Sequence, residues 1–288
     1  MARFPGVITA MVTPFAEDGS LDVAGARALA SYLLENGSHG VVVAGTTGES
    51  PTLSDDEKIQ LLEAVLEEIG DRATVLCGTG SNDTRHACDL TRRAAAAGAH
   101  GVLVVTPYYN KPSEAGLEAH FAAVSDAAGD TPIVMYNIPS RCVINMAPAF
   151  MASIVAANTN VVGVKQANNA EMGPIEGLEI LAGNDDIFAT CLERGGTGGI
   201  LVAAHVVGPS MHEIYEAATE GDHDRAARIE SDLSAVYAAI SHAPPASSVK
   251  AALSMQGLIG ETQRLPMVPV DSETRDAIRD ALETRGKN

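Results

Sequence analysis

Short apolar runs alternate with longer amphipathic stretches along most of the chain. Eight runs rich in Val, Ile and Leu predict strands, at residues 7–12, 40–44, 74–77, 101–105, 133–136, 161–165, 179–182 and 199–203. Continuously apolar strands are typical of parallel sheets that are covered on both faces. Stretches rich in Ala, Leu and Glu separate them and predict helices, at residues 22–36, 54–69, 83–97, 113–128, 148–157 and 186–194.

Local signals support the predicted helix ends. Ser54 and Glu57 have the spacing of a capping box, and Gly37, Gly70 and Gly98 stand where helices should stop. About eight strand–helix units favour an α/β fold, a (β/α)8 TIM barrel, over a doubly wound sheet, which usually has fewer strands in this length. The helical pattern continues over residues 209–281. We therefore predict a barrel over residues 1–208 and an appended C-terminal helical region over residues 209–288.

Composition narrows the possible partners. The 288 residues are 46% hydrophobic, enough for a large core, and the formal net charge is −18. Nucleic acids and anionic membranes attract basic surfaces, so neither is an expected partner. No apolar run approaches the ~20 residues of a membrane span, and no signal peptide is recognised, so a cytoplasmic location is expected.

No cofactor or metal site is expected. The four cysteines are widely spaced and form no C-x-x-C pair, and the histidines are scattered without an H-E-x-x-H motif. Residues 45–49 are glycine-containing but lack the spacing of a P-loop. Buried reduced thiols are the simplest interpretation of the cysteines.

In a (β/α)8 barrel, active sites lie at the carboxyl ends of the strands. Lys165 is the sharpest candidate there, because it ends the apolar run Val161-Val162-Gly163-Val164. Burying an ammonium is costly unless it is paired or loses its proton, and a neutral buried amine is a nucleophile towards ketones. The alternative is a lysine that reaches solvent or pairs with an acid.

Two further candidates follow another predicted strand. Tyr136 could relay protons at the same rim as Lys165, although a packed phenol is the commoner role. Arg141 offers a planar fork for a carboxylate, and a surface ion pair is its alternative role.

Four motifs, each at a predicted strand end, resemble one known family. They are Gly45-Thr46-Thr47-Gly48-Glu49-Ser50, Thr106-Pro107-Tyr108-Tyr109-Asn110-Lys111-Pro112, Tyr136-Asn137-Ile138-Pro139-Ser140-Arg141 and Gly163-Val164-Lys165. Two late stretches, Val249-Lys250-Ala251-Ala252-Leu253 and Arg264-Leu265-Pro266, also look like this family, and the resemblance covers nearly the whole chain. The sequence thus resembles the dihydrodipicolinate synthase and N-acetylneuraminate lyase family of class I aldolases.

The resemblance implies specific roles for these residues. Lys165 would form an imine with pyruvate without any cofactor, and protons would be relayed by Tyr136, Thr46 and Tyr109, the last reaching a neighbouring subunit's site. Thr47 would hold the pyruvate carboxylate, helped by the backbone near Gly183 and Ile200. Arg141 would bind the carboxylate of L-aspartate 4-semialdehyde, giving 4-hydroxy-tetrahydrodipicolinate in the lysine and diaminopimelate pathway. A homotetramer built from two dimers is also implied.

Two alternatives stay open at this point. One is a lyase or dehydratase of a 2-keto-3-deoxy sugar acid from the same family, which Arg141 disfavours. The other is a catalytically silent barrel that only binds a ligand, which the complete set of candidate residues disfavours. The sequence also departs from the family pattern after Lys165, where Gln166-Ala167-Asn168-Asn169 stands.

The resemblance bears on regulation as well. Some relatives are inhibited by L-lysine, which binds a cavity whose positions correspond to Asp55, Lys58, Asn82, His86 and Tyr108. Sensitive relatives typically have an acid at the position of His86. We therefore expect weak inhibition by lysine or none.

Overall fold

The computed structural model describes residues 2–284, so Met1 and residues 285–288, at the outer ends of the two predicted regions, lie outside the described part. Eight parallel strands close into a barrel in which each strand pairs with the next and β8 pairs with β1. The strands are β1 Gly6–Ala10, β2 Gly40–Val43, β3 Thr74–Gly78, β4 Gly101–Val105, β5 Ile133–Asn137, β6 Val161–Gln166, β7 Glu179–Ala182 and β8 Gly198–Leu201. The predicted (β/α)8 barrel is confirmed, and each predicted strand matches an observed one to within two residues at either end.

Helices follow the strands and surround the barrel. They are α1 Val23–Glu35, α2 Asp55–Ile69, α3 Thr84–Ala96, α4 Glu114–Ala128, α5 Pro139–Cys142, α6 Pro148–Ala157, α7 Phe188–Glu193, α8 Ala204–Thr219, α9 His223–Asp232, α10 Ser234–Ser241, α11 Pro245–Met255 and α12 Ser272–Thr284. The predicted capping box at the start of α2 is present, because Ser54 Oγ accepts from the Glu57 N–H while the Glu57 carboxylate accepts from the Ser54 N–H.

Alternate positions of the strands form two separate buried clusters. Val41, Val43 and Val75 belong to the cluster that includes the helices, which is the layer outside the barrel. Ile8, Val42, Leu76, Leu103, Val134, Tyr136, Leu181 and Ile200 form the other cluster, which fills the barrel interior. This alternation fixes which side chains can reach the interior at the carboxyl ends of the strands.

The predicted division of the chain at residue 208 falls within α8. This helix is kinked at Val207, and Pro209 lies inside it just beyond the kink. The whole of α8 packs against β1 as the eighth helix of the barrel, while α9 to α12 pack on α7, α8 and one another. The division into a barrel and a helical region stays a prediction.

Partly buried polar contacts join the helical region to the barrel. Arg264, between α11 and α12, donates to the carboxylate of Glu57 and to the carbonyl oxygens of Gly19 and Thr52. Over the described residues, no helix has the length and apolar character that crossing a membrane requires.

Candidate active site

A cavity of about 560 Å³ opens at the carboxyl ends of β2 to β5. Three of the predicted site residues line it, namely Thr46, Tyr136 and Arg141. Asp55, Lys58, Asn82, His86 and Tyr108, the positions where the resemblance implied a lysine cavity, line it as well. The predicted site and that second group of residues therefore border one continuous space.

Lys165 lies near the carboxyl end of β6, in the interior of the barrel. It aligns with Tyr136 on β5 and with Leu181 on β7, and both neighbours belong to the interior cluster, so its side chain points into the barrel. Only 5% of the residue is exposed. The Lys165 Nζ lies 4.5 Å from the centroid of the Tyr136 ring.

Burial alone does not distinguish Lys165, because Lys58 and Lys250 are also buried. Those two lysines have a carboxylate partner, at 3.2 Å for Lys58 with Asp55 and 2.5 Å for Lys250 with Glu49. Within residues 2–284, Lys165 is the one buried lysine without a carboxylate at ion-pair distance. It is therefore the amine that burial can deprotonate most readily.

The surroundings of Lys165 also favour loss of the proton from its ammonium group. Burial lowers the pKa of its ammonium to about 8, the negative charge of Asp185 acts to raise it, and the positive charge of Arg141 acts to lower it. About a tenth of the amine is then neutral at pH 7, far more than for an ordinary lysine, and the neutral form is the one that attacks a ketone.

Tyr136 is held in the same interior layer. Burial raises the pKa of its phenol, while the positive charge of Arg141 and the Thr46 side chain act to lower it. The phenol is therefore protonated at neutral pH and can serve as a proton donor beside Lys165.

The segment from Gly45 to Glu49 follows β2 and has a compact backbone. The Glu49 N–H donates to the Thr46 carbonyl at 3.1 Å, and the Thr13 Oγ1 hydroxyl donates to the Gly48 carbonyl at 2.6 Å. In this turn Thr46 is exposed to the cavity and Thr47 is buried. The turn thus presents one hydroxyl to the open site and holds the next inside.

Arg141 lies in the short helix α5, and its side chain is exposed at the cavity. Asn137 forms hydrogen bonds with the loop after α5. Its amide nitrogen donates to Asn145 and to Gln166, each at 2.9 Å, and its amide oxygen accepts from the Met146 N–H. Gln166 is the residue directly after Lys165. One amide network therefore couples the loop after Arg141 to the strand that carries Lys165.

Gly183 and Ile200 complete the predicted set from the other side of the barrel. Ile200 is fully buried in the interior cluster. Gly183 allows close approach to β6, because a Cβ there would lie 2.7 Å from the Gln166 carbonyl oxygen. Gly183 lines a second cleft, of about 690 Å³, between the end of β7 and helices α9 and α10, so neither residue lines the first cavity.

Asp185 was not given a role from the sequence, although it follows the strand end at Gly183. Its Oδ1 accepts from the N–H groups of Val202 and Ala203 at 2.8 and 3.1 Å. Burial raises the pKa of Asp185 to about 6, whereas these N–H donors and the charge of Lys165 act to lower it. Its carboxyl is therefore part of the electrostatic surroundings of Lys165. The missed signal was an acid three residues beyond the end of β7.

Tyr109 is not brought to this site within one protomer. Its side chain is 88% exposed, its φ is +72°, and it does not line the cavity that Tyr108 lines. A bulky residue with positive φ is uncommon and strained, so the surroundings must hold it there. Nearby, Asn110 donates to the Asn82 carbonyl at 2.8 Å, which fixes the loop that projects Tyr109.

The four cysteines are buried and unpaired. Cys142 lines the cavity beside Arg141, and burial raises the pKa of its thiol to about 11, so it is a protonated, weakly reactive group. Within the described chain, no cluster of three or more His, Cys, Asp or Glu side chains is arranged to hold a metal ion.

A buried amine of lowered pKa, beside a phenol at the carboxyl ends of a (β/α)8 barrel, defines an enzyme of the class I aldolase type. The chain belongs to the dihydrodipicolinate synthetase family, whose model matches residues 3–285. The resemblance seen in the sequence is therefore confirmed.

Individual relatives match this chain over nearly the full length of both proteins. The chain is 43% identical over 282 residues to the 4-hydroxy-tetrahydrodipicolinate synthase of Mycolicibacterium paratuberculosis, covering 96% of this chain and 93% of that one. A dihydrodipicolinate synthase structure from Thermotoga maritima superposes with a TM-score of 0.95 at 37% identity, covering 99% of each chain. A structure from Cyanidioschyzon merolae with lysine bound also gives 0.95, at 34% identity and 99% coverage of each chain.

Proposed function

We propose that the chain condenses pyruvate with L-aspartate 4-semialdehyde to 4-hydroxy-tetrahydrodipicolinate, a step towards diaminopimelate and lysine. The observation that carries the proposal is Lys165, a buried amine with no ion-pair partner among residues 2–284, 4.5 Å from the Tyr136 ring at the strand ends of the barrel. Its relatives with 4-hydroxy-tetrahydrodipicolinate synthase activity support the choice of reaction.

The first stage forms the covalent imine, without a cofactor. The neutral Lys165 Nζ attacks the ketone carbon of pyruvate, the carbonyl oxygen takes up a proton, and water leaves as the carbon–nitrogen double bond forms. Tyr136, with Thr46 beside it, supplies and recovers these protons. Thr47 and the backbone near Gly183 and Ile200 hold the pyruvate carboxylate.

The second stage forms the carbon–carbon bond. Loss of a methyl proton converts the imine to an enamine, whose carbon attacks the aldehyde of the second substrate. Arg141, exposed at the cavity, binds the carboxylate of that substrate through its planar fork. The substrate's own amine then displaces Lys165, which closes the ring and frees the enzyme.

The proposal includes an assembly. Tyr109 projects away from its own protomer and would complete the proton relay in the site of a neighbouring subunit. A closed dimer gives each site one partner tyrosine. A homotetramer made of two such dimers is proposed from the family resemblance. A cytoplasmic location is proposed for a biosynthetic enzyme of this kind.

A coupled assay with purified protein tests the reaction. Pyruvate is offered with a panel of aldehydes that includes L-aspartate 4-semialdehyde and the aldehydes produced by cleavage of 2-keto-3-deoxy sugar acids. Turnover confined to aspartate semialdehyde, and lost in Lys165→Ala, is expected. Turnover of sugar-derived aldehydes instead would assign the chain to the lyase branch, and no turnover of any aldehyde would make it a binding protein.

A further inference from the structure

The most deeply buried ion pair in the described chain lies outside the cavity. Lys250 on α11 donates from Nζ to Glu49 Oε1 at 2.5 Å, across 201 residues of sequence. The two side chains are 0% and 1% exposed. Taking two charges out of water is costly, so such a pair needs good geometry and further hydrogen bonds to be stable.

Those further contacts are present. Lys250 Nζ also donates to the Thr262 carbonyl at 2.8 Å and lies 4.3 Å from the centroid of the Phe15 ring. The Arg264 N–H donates to the second oxygen of Glu49 at 3.2 Å, and its guanidinium lies over the same ring of Phe15. Both charges are therefore satisfied by groups from the barrel and from the helical region.

Glu49 is also part of the turn that carries Thr46 and Thr47. Its φ is +56°, a left-handed conformation that is strained for a residue with a side chain. Its N–H donates to the Thr46 carbonyl, and the next residue, Ser50, donates to the Gly45 carbonyl at 3.2 Å. A change in the position of Glu49 would thus be transmitted directly to both threonines.

We propose that the Glu49–Lys250 pair is a positioning device, through which the C-terminal helical region sets the placement of Thr46 and Thr47 for pyruvate. Neither residue of the pair lines the first cavity, so the effect is exerted through the turn. This inference rests on the proposed function, because it assumes that the two threonines act on pyruvate.

Three variants separate positioning from simple stabilisation. Lys250→Met leaves the Glu49 carboxylate buried without its partner, and Glu49→Gln leaves the Lys250 ammonium in that position. Glu49→Gln combined with Lys250→Met removes both charges while keeping an acceptor for the Arg264 N–H. Single variants of a buried pair are expected to be strongly destabilised, and the double variant much less so.

The measurements are the melting temperature, the KM for pyruvate, and borohydride trapping of pyruvate at Lys165 over a range of pyruvate concentrations. If the pair positions the turn, the double variant regains most of the melting temperature. Its KM for pyruvate stays raised by about tenfold or more, which corresponds to about 1.4 kcal/mol, and trapping requires correspondingly more pyruvate. A double variant that regains both properties together would overturn the proposal.

Arg225→Met is the matched control. It removes an ion pair between α9 and Glu213 on α8, away from the turn, and should leave the KM for pyruvate unchanged. Trapping of pyruvate by the wild-type protein distinguishes failure of the proposed function from failure of the positioning role. If wild-type Lys165 does not trap pyruvate, the proposed function fails; if it does and all three variants match it, only the positioning role fails.

Discussion

The Lys165 amine lies 4.5 Å from the centre of the Tyr136 ring, and the two residues are direct neighbours across the β5–β6 register. An ammonium at this distance from an aromatic ring is attracted by the ring's negative face, which favours the protonated form. Burial acts in the opposite direction and lowers the pKa of Lys165 to about 8, although the charge of Asp185 acts to raise it. Tyr136 therefore places a proton-donating phenol close to the Lys165 amine, and the amine can still lose its own proton.

The site of adduct formation follows from this geometry. Pyruvate with borohydride is expected to leave a reduced three-carbon adduct on Lys165 that peptide mass mapping can locate. Lys250 is the internal comparison, because its Nζ is fully buried and already bonded to Glu49 and Thr262. An adduct on Lys250, or none on any lysine, would contradict the imine mechanism.

The same reaction should depend on pH in a defined direction. Since a pKa of about 8 makes the reactive neutral amine the minor form below that pH, the initial trapping rate should rise as pH increases through about 8 and then level off. Asp185→Asn removes a charge that raises the pKa of Lys165, so the profile should move to lower pH. Arg141→Met removes a charge that lowers it, so the profile should move to higher pH.

Arg141 can be separated from imine formation by a conservative substitution. Arg141→Lys keeps the positive charge that Lys165 experiences but replaces the planar fork with a point charge. Loss of a paired substrate carboxylate contact costs about 2–5 kcal/mol, so kcat/KM for the aldehyde should fall about thirty-fold or more. Pyruvate trapping should keep its wild-type rate. Equal losses in both measurements would show that Arg141 is structural.

The residues that the sequence predicted well are those whose neighbours lie nearby along the chain. Ser54 and Glu57 form the expected capping box, and Lys165 could be placed at the barrel rim because the apolar run before it had to be a strand. Glu49 and Lys250 are 201 residues apart, and no local pattern shows that α11 packs against the turn after β2. Asp185 was passed over for the same reason, since its influence on Lys165 depends on strands that meet only in the closed barrel.

Tyr109 tests the proposed dimer by complementation. Tyr109→Phe is expected to lower kcat about a hundredfold or more, because general acid–base groups typically contribute about 10²–10⁴-fold. Lys165→Ala is expected to be inactive. In a mixed dimer, the intact Lys165 of one protomer meets the intact Tyr109 of the other, so co-expression should restore about a quarter of wild-type activity.

The control is the double variant, Lys165→Ala with Tyr109→Phe in one chain, co-expressed with Tyr109→Phe. No site in that mixture can contain both residues, so activity per chain should not exceed that of Tyr109→Phe alone. A fully active monomer in sedimentation at assay concentration would refute the crossing role of Tyr109.

Free L-lysine is expected to inhibit weakly or not at all. The Cyanidioschyzon merolae structure has lysine bound, and the residues that the resemblance assigned to a lysine cavity line the cavity here. Asp55 is the acid that could bind a ligand ammonium, but it already accepts from His86 Nε2 at 2.8 Å and from Lys58 Nζ at 3.2 Å. Although burial raises the pKa of Asp55, these two partners outweigh it and lower the pKa.

The cluster Asp55–Lys58–His86 therefore presents a lysine ligand with a carboxylate that is already paired and with an added positive charge. Leaving a ligand ammonium without its partner costs about 2–5 kcal/mol, so half-inhibition should lie above about 1 mM. Initial rates measured over a range of lysine concentrations check this. His86→Glu restores an acid and pairs it with Lys58, so it should increase sensitivity to lysine, while His212→Glu, at the opposite end of the barrel, should not. Wild-type half-inhibition well below a millimolar would show that Asp55 can exchange its two partners for the ligand.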